Sequence, residues 1–177
     1  MTTITIQSGA EEVKQQYAKV ILQDSGYGLG LGVDIYLQAR SKGESNFSGM
    51  IGLFGGKLKE GETFKQCALR ELHEETGLSF YDTSLTLLGI IDSFNDDAKP
   101  SIGHTYSIIN VTKKKVSSIR TNEEGSLFKI NLNEAAKLSA KRLTPIASFA
   151  LGQLCLLNSI TRDSGIKQAL LGRQYSA

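Results

Sequence analysis

The chain has 177 residues, 40% of them hydrophobic, and a net charge of +2. That length supports one well-buried core and is too short to expect two, so residues 1–177 read as a single domain. The longest basic run is Lys113-Lys114-Lys115, which is a poor footprint for a stable nucleic-acid partner.

In chain order, the opening segment MTTITIQSGAEE has neither a charged n-region nor an apolar h-region, so no secretory signal is expected and the protein reads as cytoplasmic. Tyr17–Leu22 (YAKVIL) and Val33–Gln38 (VDIYLQ) have the composition of strands. The glycines of Ser25–Gly32 between them spell no GxGxxG, and no helical period follows. A flexible hairpin connection fits better than a dinucleotide loop. Ser48–Phe54 reads as a short strand that delivers the chain to Gly55-Gly56, where missing side chains allow close backbone approach to a metal or a phosphate.

A helix is expected next. Thr63 followed three residues later by Gln66 forms a capping box, and Gly77 is a ready stop. Phe64, Ala68, Glu71 and Glu75 share one stripe, with Cys67 and Glu74 at its edge. Three carboxylates together repel, and two of them stand at the negative end of the helix dipole. A cation is expected among them, and hard divalent ions take oxygen ligands of this kind. A solvated acidic face paired with Lys and Arg is the plainer alternative; continuity with Phe64 and Ala68 argues against it.

Beyond the helix, Leu85–Phe94 and Thr105–Val111 read as strands joined by a polar loop, Asn95–Gly103, and Ser126–Ile130 as the last strand. Asn131 opens a short helix through Ser139, and Thr144-Pro145 starts a longer one to about Arg162. The apolar part of that helix, Ile146–Leu157, could serve a homodimer as readily as a core; Pro145–Ile160 is too short to span a bilayer, and no membrane partner is expected. Cys67 and Cys155 have no metal-ligand spacing and read as buried thiols. His73 falls away from the acid stripe and reads as a surface residue. His104 reads as exposed or packed, with reach to a phosphate as the alternative. Strands alternating with helices imply an α/β fold with a mixed sheet covered on both sides.

The spaced residues Gly56, Glu62, Arg70-Glu71-Leu72, Glu74-Glu75 and Gly77-Leu78 match all nine fixed positions of the Nudix box, so the chain resembles the Nudix (MutT-like) hydrolases. That resemblance implies a Nudix-type α/β/α sandwich. It also implies Mg²⁺- or Mn²⁺-dependent cleavage of a nucleoside diphosphate linked to a further group, X. Carried over by position, Glu71, Glu74 and Glu75 resemble the metal ligands, with the Gly55 carbonyl as a further one. Arg70 and Glu62 resemble a structural ion pair that fixes the carboxylates. An additional acid is implied near Thr121–Gly125, with Glu123 ahead of Glu124. The general base would be Glu71 or Glu123, serving as proton acceptor for the attacking water.

The stretch GGKLKEGET is most similar to the nucleoside triphosphate pyrophosphatases of the family, whose products are a nucleoside monophosphate and pyrophosphate. Enzymes of the ADP-ribose and dinucleoside polyphosphate branches tend to carry Pro or Tyr where Ser93 and Phe94 stand here. Tyr36–Ser41 echoes the coenzyme A branch only faintly, and Arg142-Leu143-Thr144 stands where oxidised-guanine enzymes can place an Asn. A Nudix-fold binding module would tend to lose box glutamates, and all are present. An isopentenyl-diphosphate-type isomerase would need several metal-binding histidines, against the two here.

Overall fold

The computed structural model describes residues 14–24, 33–43, 47–94, 100–119, 125–138 and 141–163. The glycine-rich connection at 25–32 and the acidic segment 121–124, including Glu123, lie outside them. Among the described residues there are six strands: β1 (Gln15–Asp24), β2 (Asp34–Arg40), β3 (Ile51–Gly52), β4 (Thr86–Phe94), β5 (Pro100–Val111) and β6 (Gly125–Asn131). The helices are α1 (Phe64–Thr76), α2 (Lys113–Val116), α3 (Leu132–Ala135) and α4 (Pro145–Asp163). β1 runs parallel to β5, while β2 is antiparallel to β1, β3 and β6, and β4 to β5. The sheet is therefore mixed, as the alternation of elements requires.

Alternating residues of the central strands feed two cores. Ala18, Val20, Leu22 and Tyr36 meet Cys67, Ala68 and Leu72 of α1. Ile21, Ile35 and Leu37 point the other way and meet Ala147, Ala150, Leu151 and Leu154 of α4. Burying each large aliphatic side chain contributes roughly 1.5–3 kcal/mol, so the helices are clamped by their apolar stripes. The apolar face of α4 is thus spent on the core, leaving Leu156 and Leu157 exposed near its end. Among the described residues no helix is long and apolar enough to cross a membrane.

The local signals around α1 act as read. Thr63 accepts from the Gln66 backbone N–H at 3.2 Å while the Gln66 side chain accepts from the Thr63 N–H at 2.9 Å. Gly77 closes the helix in the left-handed region, φ 73°, donating its N–H to the His73 carbonyl at 2.8 Å. Three expectations need correction. The strand expected over Ser48–Phe54 is only Ile51–Gly52, because residues 47–49 form a turn with Gly49 at φ 72°. The loop expected to reach Gly103 gives way to β5 at Pro100, whose following residues pair with β1 from Gln15↔Ser101 onward. α2 and a 3₁₀ turn at Asp82–Ser84 were not expected at all, being too short for a helical period to show.

One departure from a regular sheet positions the site. β6 pairs with β2 along its whole length, from Asp34↔Asn131 to Arg40↔Gly125, so β1 and β3 must share the opposite edge of β2. β1 occupies it at Tyr36 and Ile35, and β3 at Gln38 and Ala39. Beyond that divergence the chain after β3 pairs with β1 instead: the Val20 N–H donates to the Phe54 carbonyl at 2.7 Å and the Ala18 N–H to the Gly56 carbonyl at 3.0 Å. Gly55-Gly56 is thereby wedged between β1 and the C-terminal half of α1.

Candidate active site

The wedge explains both glycines. Gly55 has φ 122°, where side-chain-bearing residues are strained, and a Cβ there would overlap the Ala18 carbonyl. At Gly56 a Cβ would stand 2.5 Å from the carboxylate carbon and Oε2 of Glu71. The backbone can lie against the acids only because nothing projects from it.

The three acids sit differently. Glu75 is buried, with 8% of its surface exposed. Its Oε2 accepts from the Gly55 N–H at 2.7 Å and its Oε1 from the Gln38 side-chain amide at 3.2 Å. A buried carboxylate without such donors would cost several kcal/mol. Glu71 is mostly buried, its side chain 17% exposed, whereas the Glu74 side chain is 51% exposed.

Arg70 organises the other two. Its Nε and Nη2 grip both oxygens of Glu62 at 2.5 and 2.9 Å, in the planar fork that suits a guanidinium. Its Nη1 reaches Glu71 Oε1 at 2.6 Å and Glu74 Oε2 at 3.0 Å. Nη2 also donates to the Lys57 carbonyl at 3.1 Å. The Arg70 bond holds the Glu62 carboxyl down at about 2, and the Glu62 bond in turn raises Arg70 further. One arginine therefore joins the strand-to-helix turn to two of the box carboxylates, and Lys59 adds a 3.5 Å contact to Glu74.

Gln38 and Lys19 of this cluster escaped the sequence reading, as did the Lys59 contact to Glu74. The Lys19 ammonium donates to the Gly55 carbonyl. Burial pushes its pKa down, while Glu75 and Glu71 oppose that and Arg40 adds to it. The signal that could have found Lys19 is a charged side chain within the otherwise apolar strand sequence YAKVIL; Gln38, in VDIYLQ beside Asp34, stands out less.

Neither histidine joins the acids. His73 is exposed, with Ser79 Oγ 3.2 Å from its Nδ1. His104 stacks on Phe64 with ring centroids 3.7 Å apart, its Nδ1 3.1 Å from the Tyr106 hydroxyl. Phe64 starts α1, seven residues before Glu71, or roughly 10 Å along the helix axis. His104 is thus packed at the far end of α1, beside a cavity of about 620 Å³ that Leu69 and Asp82 also line. Cys67 is buried and its thiol is pushed up to about 11 by burial, so it serves as core.

The donor chemistry fits a hard divalent ion: carboxylate oxygens and one backbone carbonyl, with the missing side chain at Gly56 letting the Glu71 carboxylate lie against the backbone. Among the described residues no three His, Cys, Asp or Glu side chains form a ready metal cage. The geometry gives the reason, since Arg70 draws Glu71 and Glu74 while Gln38 and Gly55 hold Glu75.

The sequence model of the NUDIX domain matches residues 15–148. The chain belongs to the Nudix family. As a Nudix hydrolase it is a pyrophosphohydrolase, and solved structures share its fold. A mutT/nudix family protein from Listeria innocua is similar at 23% identity, over 84% of this chain and 95% of that one, with a TM-score of 0.65. A bifunctional NMN adenylyltransferase/ADP ribose pyrophosphatase from Francisella tularensis, complexed with AMP and a Mn ion, is 16% identical over 85% of this chain and 43% of that one, TM-score 0.62. An Ap4A hydrolase from C. elegans is 15% identical over 85% and 98%, TM-score 0.54. At such identities the likeness is one of fold.

Proposed function

We propose that this Nudix hydrolase cleaves a nucleoside diphosphate linked to X, with nucleoside triphosphates or their deoxy forms as the favoured substrates and a nucleoside monophosphate and pyrophosphate as products. The observation that carries the reading is the packing of Glu75 and Glu71 against a side-chain-free Gly55-Gly56 backbone, with Glu74 joined to Glu71 through Arg70. Glu71, Glu74, Glu75 and the Gly55 carbonyl would hold Mg²⁺ or Mn²⁺. A bound ion there supplies charge neutralisation for phosphoryl oxygens and a water of lowered pKa.

The residues themselves divide the remaining work. Glu75, anchored at both oxygens, fixes the distance between α1 and the Gly55 backbone. Arg70 orients Glu71 and Glu74, a role of the kind that supporting groups play around metal ligands. Glu71 Oε1 is held by Arg70, so as general base Glu71 would take the proton of the attacking water on Oε2. Glu123 is the alternative acceptor. The preference for triphosphates rests on the GGKLKEGET stretch; the ADP-ribose, nucleotide-sugar and dinucleotide pyrophosphatases of the family, and a non-catalytic nucleotide-binding module, are the competing readings.

A panel of nucleoside triphosphates, nucleotide sugars, ADP-ribose and dinucleoside polyphosphates, each with Mg²⁺ and with Mn²⁺, separates them when phosphate is read after pyrophosphatase or phosphatase coupling. Pyrophosphatase-dependent phosphate from a triphosphate is the expected result. Turnover of another class moves the substrate assignment, and nucleotide binding with no turnover under either ion overturns the hydrolytic reading.

A further inference from the structure

Lys19 is the one cation that β1 brings to this cluster, and its position is set by strand alternation. Ala18 and Val20 point to the α1 face, so Lys19 and Ile21 start from the α4 face, and the Lys19 ammonium reaches the Gly55 carbonyl away from the core beneath α1. The bond is local to a constrained oxygen. Gly55 is pinned by its N–H on Glu75 at 2.7 Å and by its close approach to the Ala18 backbone. The carbonyl cannot turn away from whatever cation approaches it.

Two further features coincide there. The carbonyl is the single backbone oxygen in the proposed ligand set, and burial works against the Lys19 charge there while Glu75 and Glu71 favour it. The fold therefore brings the Lys19 amine group to the oxygen that a divalent ion needs. An ammonium and a divalent ion cannot share that oxygen closely, since like charges repel most where water is partly excluded.

Resting on the metal-dependent reading above, we infer that Lys19 is the resident counter-ion of the metal-free site, occupying the Gly55 carbonyl until a divalent ion displaces its ammonium. The ion then binds against an internal competitor, and its apparent affinity is lowered by the fraction of molecules in which the carbonyl is taken. A lysine that merely buttresses the carbonyl would have the opposite effect, because its removal would loosen a ligand.

The sign of the change in metal affinity decides between them. Free Mn²⁺ is titrated by electron paramagnetic resonance, without nucleotide, against the wild-type chain and the Lys19→Met and Lys19→Gln variants. The expected result is binding about tenfold tighter in both variants; unchanged or weaker binding in a folded variant overturns the inference. The wild-type chain gives a second reading that needs no mutation. Acetylation of Lys19 by acetic anhydride, followed by mass spectrometry, should be faster in saturating Mg²⁺ than in EDTA, and an equal or slower rate counts against displacement. A wild-type chain that binds no Mn²⁺ sinks the metal-dependent function itself, whereas wild-type binding with unaltered variants sinks only the role of Lys19.

Discussion

The two helices that cover the sheet begin alike and end differently. α4 sets Ala147, Ala150, Leu151 and Leu154 against the strands, and its buried polar residue, Asn158, bonds within the helix to the Leu154 carbonyl at 2.8 Å. α1 buries Cys67, Ala68 and Leu72 in the same manner, and then places Glu75 where the stripe calls for an apolar side chain. Glu75 is tied outward to another part of the chain, to Gln38 on β2 and to Gly55. Among the described residues, the buried face of α4 is chiefly apolar. The other helix carries an acid whose burial is expensive without a function, which is where sequence and core rules are expected to part company.

The largest contrast is to be had by exchanging one residue on each helix. Glu75→Gln should lower kcat by roughly 10²–10³ under saturating Mg²⁺, the scale seen for loss of one electrostatic group at a reacting centre. Its fold should persist, since a side-chain amide can still accept from the Gly55 N–H. Leu151→Ala should show the reverse signature, with a loss of about 3 kcal/mol of stability in urea unfolding and kcat per folded molecule unchanged. Steady-state kinetics and denaturation on the same two proteins test the division. Full activity in Glu75→Gln, or a kcat defect in Leu151→Ala, would erase it.

The division was legible in the sequence to unequal depths. α1 was readable to the residue, because its signals are local: Thr63 and Gln66 cap it, Gly77 ends it, and Glu74 and Glu75 lie three and four positions after Glu71. Glu62 and Arg70 are legible from the box as a pair that fixes the carboxylates, while the individual bonds from Arg70 Nη1 to Glu71 and Glu74 come only from the folded chain. Lys19 and Gln38 were missed because their partners are 36 and 37 residues away, and no local period encodes where β1 parts from β2. The same divergence shortens β3, since Phe54 leaves β2 for Val20. Distant pairing is what the chain's own pattern carries least.

A smaller effect separates the Arg70 network from the apolar core by its pH dependence. The Glu62 carboxyl is held at about 2 against an ordinary 4.5, chiefly by its bond to Arg70. A depressed folded value means that the stabilisation is fully present above pH 4.5. It falls between 4.5 and 2 as the unfolded chain takes up the proton first, and it is gone below 2. Melting curves followed by circular dichroism should therefore drop more steeply across that window for wild type than for Glu62→Gln. Parallel profiles would show that the pair contributes nothing to folding, and that the α1 face is held as α4 is, by apolar contact.

The smallest expected effect falls within α1 and sharpens where the two kinds of helix meet. Thr63→Ala removes one side of the capping box and should cost about 1 kcal/mol of stability. Thr63 precedes Glu75 by twelve residues, roughly 18 Å along the axis. Glu75 is anchored away from that turn, to Gln38 and to the Gly55 N–H. Fraying of the first turn should thus leave kcat and KM within about twofold of wild type, as distant and independently anchored sites behave additively. A tenfold fall in kcat would mean that the first turn transmits its order to the carboxylates, and that α1 works as one rigid lever rather than a packed half joined to a chemical one.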